Sequence, residues 1–262
     1  MGKIKIKLHL AILFCGVALL FAGCENVNTR EKIFVIATDI DYAPFEFKNA
    51  KGKDVGIDIE IFEEIAKDQK FKYKFKGLGF NSAITALESS QADGMMAGVI
   101  ITDERRIKYD FSKGYYKTNV CVAVKKEENG IKTFEDLRGK KIALKTGTQA
   151  ALFAESLKDK IGFTTNYFDE TPIMYDEIKT GNSVACFEDQ TVLEYGISQN
   201  NGLKIVLSSN SEFCYGFVVL KEKNQELLNM FNNGLDNIIQ NGEYERIINK
   251  YVKRFGEVYE YN

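Results

Sequence analysis

The chain has 262 residues, with 35 lysines and arginines against 37 aspartates and glutamates, and a formal charge of −2 gives it no bias toward nucleic acid or an anionic membrane surface. Its one histidine, His9, lies in an amino-terminal segment that reads as cleaved, so the remainder has no imidazole. That excludes Ser-His-Asp and Cys-His nucleophile systems and histidine-held zinc, and leaves carboxylate chemistry and plain binding.

Residues 1–23 read as a secretory signal. Lys3, Lys5 and Lys7 make a positive start, "LAILFCGVALLF" is an apolar run too short to span a bilayer, and "AGC" closes it. The ending Ala22-Gly23-Cys24 resembles a bacterial lipobox, which implies lipidation of Cys24 and a membrane anchor, although Leu20 stands one step further from the cysteine than such motifs prefer. Residues 24–30 follow as a polar tether. With Cys15 lost and Cys24 lipidated, Cys121, Cys186 and Cys214 remain, too few for a disulfide framework and expected to be buried, unpaired thiols.

Ordered sequence begins near Ile33, where "KIFVIA" reads as a buried strand. "GIDIEIFEEIAKDQ" puts Ile57, Ile61 and Ile65 on one helical stripe. A strand over 71–75, a helix from Asn81 to Ser89 and a strand from Met96 to Ile101 continue the alternation, which predicts mainly parallel sheets. "VCVAVK" and "KKIALK" read as strands, and a helix opens at "TGTQAALFAESLK". In "DETPIMYDEIKTG", Thr171 is the predicted N-cap, Pro172 the first helical residue and Gly181 the stop. "SVACFE" is a strand leading into a helix near Gln190, and "LKIVL" and "CYGFVVLK" read as two separate strands. Two closing helices carry stripes through Leu228, Phe231, Leu235 and Ile238, and through Tyr244, Ile247, Ile248 and Tyr251. No repeat, low-complexity tract or Pro-rich linker interrupts the chain.

Five stretches in order, "ATDIDYAPFEF", "GIDIEIFEEIAK", "AGVIITDERR", "FSKGYYK" and "LKTGTQ", together resemble the extracytoplasmic solute-binding proteins of polar amino acid ABC transporters. The similarity runs from about Ile33 to Tyr251. It implies an α/β, two-lobed periplasmic-binding-protein fold of type II, each lobe a mainly parallel sheet flanked by helices, with two hinge strands. The first lobe would take residues 31–114 and 216–262 and the second 120–210, with hinges at 115–119 and 211–215. The implied partners are a free amino acid in the cleft between the lobes and an ABC permease with its ATPase. The chain would be a monomer that makes and breaks no bond and holds no cofactor or metal.

A free amino acid is a zwitterion, so its site needs a planar cation for the carboxylate and an anion for the ammonium. Arg105, placed by a Thr102 cap in the first turn of a short helix, fits the first need, and the resemblance assigns it the ligand carboxylate. From the local sequence alone, pairing with Asp103 or Glu104 on a solvated turn is as good a reading. By resemblance, Asp189 takes the ammonium from the other lobe, with a plain helix N-cap as its bland alternative. Tyr42 and Phe80 match the aromatic pair that packs on the ligand stem. Ala97 and Gly98 bring backbone close to the ligand, and Ile100 stands where many relatives carry a hydroxyl, leaving only its N–H. Thr148 offers its N–H at a helix start.

Asp39 and Lys145, by resemblance, face the side-chain end of the ligand, and one acceptor beside one donor suits a carboxamide, so glutamine fits best. Gln149 in "GTQ" and Glu188 beside Asp189 also resemble arginine- and lysine-binding relatives, which keeps a basic ligand open. A carboxylate-dependent lyase or dehydratase on the same scaffold, drawing on Asp39, Glu46, Glu188 or Asp189, and a ligand-sensing module are the readings from other classes.

Overall fold

The computed structural model describes residues 32–252. The predicted signal, the tether with Cys24 and the last stretch assigned to the first lobe, 253–262, lie outside the described residues.

Strand β1 (Ile33–Thr38) enters the middle of a sheet, where Ile36 and Ala37 are fully buried. Three short strands, β2 (Asp41–Tyr42), β3 (Glu46–Lys48) and β4 (Asp54–Val55), then form a small antiparallel sheet of their own. Helix α1 (Ile57–Gln69) buries Ile57, Ile61 and Ile65 at helical spacing. After β5 (Lys72–Gly77) and α2 (Phe80–Glu88) come β6 (Gly94–Met95), the six-residue α3 (Asp103–Lys108) and β7 (Tyr109–Phe111).

The second half is built from β8 (Tyr116–Lys125), β9 (Lys141–Lys145), α4 (Gln149–Ile161), β10 (Thr164–Phe168) and α5 (Thr171–Lys179). It continues through β11 (Ala185–Asp189), α6 (Gln190–Ser198) and the 13-residue β12 (Leu203–Tyr215). The chain then returns to the first sheet with β13 (Val218–Leu220) and closes with α7 (Gln225–Gln240) and α8 (Glu243–Tyr251).

Two five-stranded sheets result, ordered β5-β1-β6-β13-β7 and β10-β9-β11-β8-β12, each the floor of one lobe. In the first, β1 pairs in parallel with β5 and β6, while β13 runs antiparallel to β6 and β7. The second repeats this mixture: β9 is parallel to β10 and β11, and β8 is antiparallel to β11 and β12. The alternation of strand and helix pointed to mainly parallel pairing; the antiparallel half of each sheet arises where the chain enters or returns from the other lobe.

Helix α7 lies across α1 at close range. A Cβ at Gly234 would fall 2.8 Å from the Ile65 Cγ2 and 3.1 Å from the Gln69 Cγ, so the glycine sets the approach of the two helices. Together with α8 they cover the first sheet through Phe62, Phe217 and Phe231, whose rings stack or tilt against one another at 4.7–6.0 Å between centroids.

Three predicted elements differ. The strand expected over Met96–Ile101 is instead the two residues Gly94–Met95, and beyond them Gly98 takes a φ of +54° and turns the chain out of the sheet, with Ile100 bridging back to Tyr215. "LKIVL" and "CY" belong to one strand, and that strand ends at Tyr215, with Val218–Leu220 a separate one in the other sheet. Thr171 is the first residue of α5 and Glu170 occupies the cap position, since the Thr171 hydroxyl is taken by the Lys145 ammonium. Pro172 does stand in the first turn, and Gly181 follows the last turn at a φ of +80°. The three described cysteines are free. Cys121 lies opposite Ser208, and Cys214 opposite Lys117, so the two residues sit apart on the β8–β12 ladder.

Candidate ligand-binding site

The turn after β6 prepares the first half of the site. Thr102 caps α3, its hydroxyl accepting from the Arg105 N–H at 3.2 Å, which fixes the arginine in the first turn. From there the guanidinium folds back over the Phe80 ring, 5.8 Å from its centroid, and donates to the Ile100 carbonyl at 2.8 Å. Its second nitrogen donates to the Gly147 carbonyl at 3.1 Å, across the cleft on the other lobe. Among the described residues Arg105 makes no ion pair with Asp103 or Glu104; its guanidinium is held by the Ile100 and Gly147 carbonyls instead.

The second half is the end of β11. Asp189 stands at the N-cap position of α6, yet its side chain caps nothing. It turns into the cleft, only 4 % exposed, and accepts from the Tyr42 hydroxyl at 2.7 Å and from the Tyr215 hydroxyl in a short bond. Burial pushes its carboxyl up, against the hydroxyl donors and the positive charges of Arg105 and Lys145, which hold it down. Glu188 beside it accepts from the Asp189 N–H at 2.9 Å and faces Tyr42 at 3.4 Å through one oxygen, while the other has no partner. Burial first and the Asp189 charge second raise the Glu188 carboxyl to about 8, so it carries a proton at neutral pH.

Lys145 and Asp39, expected as separate donor and acceptor, meet each other. The Lys145 ammonium lies 2.6 Å from Asp39 Oδ2 and 3.1 Å from the Thr171 hydroxyl, with 1 % of the lysine side chain exposed, and it sits 4.8 Å from the centre of the Tyr42 ring. The pair joins the end of β1 to the end of β9 and so spans both lobes. Thr148 caps α4, accepting from the Ala151 N–H at 3.2 Å, and its own N–H reaches the Lys145 carbonyl at 3.4 Å.

One cavity gathers most of these groups. Tyr42, Phe80, Gly98, Ile100 and Arg105 line it from the first lobe, and Lys145, Thr148, Gln149 and Asp189 from the second. Asp39, Ala97 and Glu188 are buried just behind that wall. The lobes are shut over the cavity, whose free space of about 10 Å³ would admit one water molecule. Gly98 is where backbone comes closest: a Cβ there would stand 2.7 Å from the Tyr42 Cε1, at a φ that side chains avoid.

Tyr215 was not among the sequence candidates. It sits in an apolar run that reads as core, and only its place at the end of a strand leading back to the first sheet could have marked it. Among the described residues no cluster of three or more His, Cys, Asp or Glu is arranged to hold a metal ion, and no helix is long and apolar enough to cross a membrane.

Residues 34–254 match the profile of the bacterial extracellular solute-binding proteins, family 3. Over 238 residues the chain is 30% identical to the arginine-binding extracellular protein ArtP of Bacillus subtilis (strain 168), covering 89% of this chain and 92% of that one. An ancestral arginine-binding protein bound to arginine superposes with a TM-score of 0.79 at 34% identity, over 86% of this chain and 98% of the other. The form bound to glutamine gives 0.78 at 35% identity, with the same coverage of 86% and 98%. The second substrate binding domain of Lactococcus lactis GlnP, in an open conformation, reaches 0.59 at 36% identity, over 86% of this chain and 97% of that one. The lower score at equal identity fits an open cleft there and a shut one here.

Proposed function

Because the chain belongs to the bacterial extracellular solute-binding proteins of family 3 and is thereby an amino acid-binding protein that works outside the cytoplasm, we propose that its cleft receives a free polar amino acid, glutamine before others, for delivery to an ABC importer. The observation that carries this reading is the placement of Arg105 and Asp189 on one cavity from opposite lobes. A ligand's carboxylate would replace the two carbonyls that the guanidinium now holds, and its ammonium would replace the tyrosine hydroxyls on Asp189. Tyr42 and Phe80 would close on its stem.

Charge balance supports a neutral side chain. Arg105 and Asp189 neutralise the ligand's two ends, Lys145 and Asp39 neutralise each other, and Glu188 keeps its proton. A carboxamide can donate to Asp39 and accept from Lys145 without disturbing that balance. Arginine is the second reading, favoured by the unpartnered Glu188 oxygen behind the site, which could ionise to meet a guanidinium.

In this reading the lobes are residues 31–114 with 216–262, and 120–210, moving about hinges at 115–119 and 211–215. The chain is a monomer tethered to the membrane through lipid on Cys24, and it presents its shut form to the permease. Binding without turnover fits a chain whose one imidazole is His9, with Asp189 and Arg105 given to the two ends of the ligand.

Isothermal titration calorimetry tests the reading. Glutamine should bind in the micromolar range or tighter, about −8 kcal/mol, and remain unchanged in the product analysis. Tight binding of arginine with no response to glutamine selects the second reading, and turnover of either selects an enzyme.

A further inference from the structure

Behind the ligand-facing wall lies a second acid cluster that the reading above leaves unused. Asp58 on α1 is fully buried, and its carboxylate accepts from the Gly98 N–H at 2.8 Å and from the Tyr115 hydroxyl at 2.8 Å. Glu46 on β3 is 1 % exposed, and neither of its oxygens meets a donor among the described residues. The titratable groups facing Glu46 are Asp58 on α1, Asp39 after β1 and Lys145 at the end of β9; those facing Asp58 are Glu46 and Tyr115, which also faces Tyr215.

Two carboxyls side by side with no cation of their own cannot both be charged at modest cost. A proton on Glu46, offered to Asp58, gives Glu46 the partner it lacks and leaves one negative charge, which the Gly98 amide and the Tyr115 hydroxyl share. Burial, together with the neighbouring acids in the case of Glu46, holds both groups above the usual carboxylate range, Glu46 far above it and Asp58 at about 6.

Gly98 is the reason this matters for binding. Its backbone turns sharply against the Tyr42 ring, and that same tyrosine reaches Asp189 across the cleft. Among the described residues, the side chain that accepts from the Gly98 N–H is Asp58. We propose that Asp58 is a positioning residue of the amino acid site, holding the Gly98 backbone from behind with Glu46 as its proton-bearing partner. The inference rests on the amino acid-binding reading and extends it to residues that touch no ligand.

An acid limb in the pH profile follows. Below about pH 6 Asp58 gains a proton and the charge that grips Gly98 is lost, so affinity should fall there. Asp58→Asn keeps the volume but removes the charge, and should weaken glutamine or arginine binding at pH 7 by about tenfold or more while abolishing the acid limb. Glu46→Gln offers Asp58 an amide donor in place of the acid proton and should keep the acid limb where wild type has it.

The experiment is calorimetric titration of the full chain and both variants with L-glutamine and L-arginine from pH 5 to 9, with circular dichroism as the check on folding. A folded Asp58→Asn that binds as tightly as wild type overturns the proposal. Should that variant fail to fold, the wild-type profile decides: an affinity that does not fall between pH 7 and pH 5 overturns it. A wild-type chain that binds neither amino acid sinks the underlying reading instead; in that case loss of Gly98 amide protection in Asp58→Asn, read by hydrogen exchange, still tests the grip on the backbone.

Discussion

Arg105 donates to carbonyls on both sides of the cleft, Ile100 on its own lobe and Gly147 on the other. Its planar fork can pass from these to a ligand carboxylate without leaving its place over Phe80, which a lysine could not imitate. Arg105→Ala should abolish binding of every amino acid in a calorimetric titration while leaving the circular dichroism spectrum unchanged, because the side chain supports no core. Glu188 makes a separate prediction. Its carboxyl is raised from an ordinary 4.5 to about 8, so the folded state holds a proton that the unfolded state releases, and the stability this lends is lost as pH rises toward 8. Glu188→Gln should flatten the fall in melting temperature between about pH 5 and 8 relative to wild type, measured by thermal unfolding across that range. Arg105 and Asp189 stood out in the sequence as charges that end apolar runs, and it was the family resemblance that singled them out as site candidates. Asp58 did not stand out, and Glu46 stood only as one of several available acids, since an acid in an amphipathic helix or a short strand looks solvated until the partner elements are in place.

Elements show the same division between what the pattern carries and what packing decides. Helices α1, α7 and α8 could be read from their apolar stripes, for the period of a helix is written in the residues that it buries. The strand after Met95 could not be bounded, because "MAGVII" is apolar in either conformation and only the turn at Gly98 separates them. The α1–α7 contact was equally hidden, for nothing in the stripe through Phe231 and Leu235 marks Gly234 as the point where α7 meets Ile65. Gly234→Ala should therefore destabilise the protein in denaturant unfolding. The gain in helix propensity, about 1 kcal/mol, is set against overpacking of about 1–3 kcal/mol at a contact of 2.8 Å.

At the scale of the whole molecule, the Lys145–Asp39 pair crosses from one lobe to the other and is almost wholly buried. Removing one partner of such a pair leaves a buried charge that costs about 3–5 kcal/mol, but here the charge can return to water if the lobes part. Lys145→Met should shift the average conformation to an open one, seen as a larger radius of gyration in small-angle scattering, with little change in the melting of either lobe. Asp39→Asn in the same chain should restore part of the closure. The order of strands and helices gave α/β sheets, and the two lobes came from the family resemblance. What the pattern hid was that the two connections share one long ladder, since "LKIVL" and "CY" carry no sign that the polar residues between them are still strand.

That ladder is not continuous. From Leu203 opposite Lys125 to Ser208 opposite Cys121 it slips by one residue, at Val206, and after a wider break it resumes from Glu212 opposite Asn119 to Tyr215 opposite Tyr116. Between them β12 spends three residues, Ser209, Asn210 and Ser211, against the single Val120 of β8. The other neighbour of Val120 is Asp189. Two stiff lengths of ribbon thus meet at a crease, and a ribbon folds far more easily at a crease than along its length. A swing about that line would leave the anionic end of the cleft almost stationary while the guanidinium travels, so an incoming guest would be seized first at its amine and sealed in by its acid.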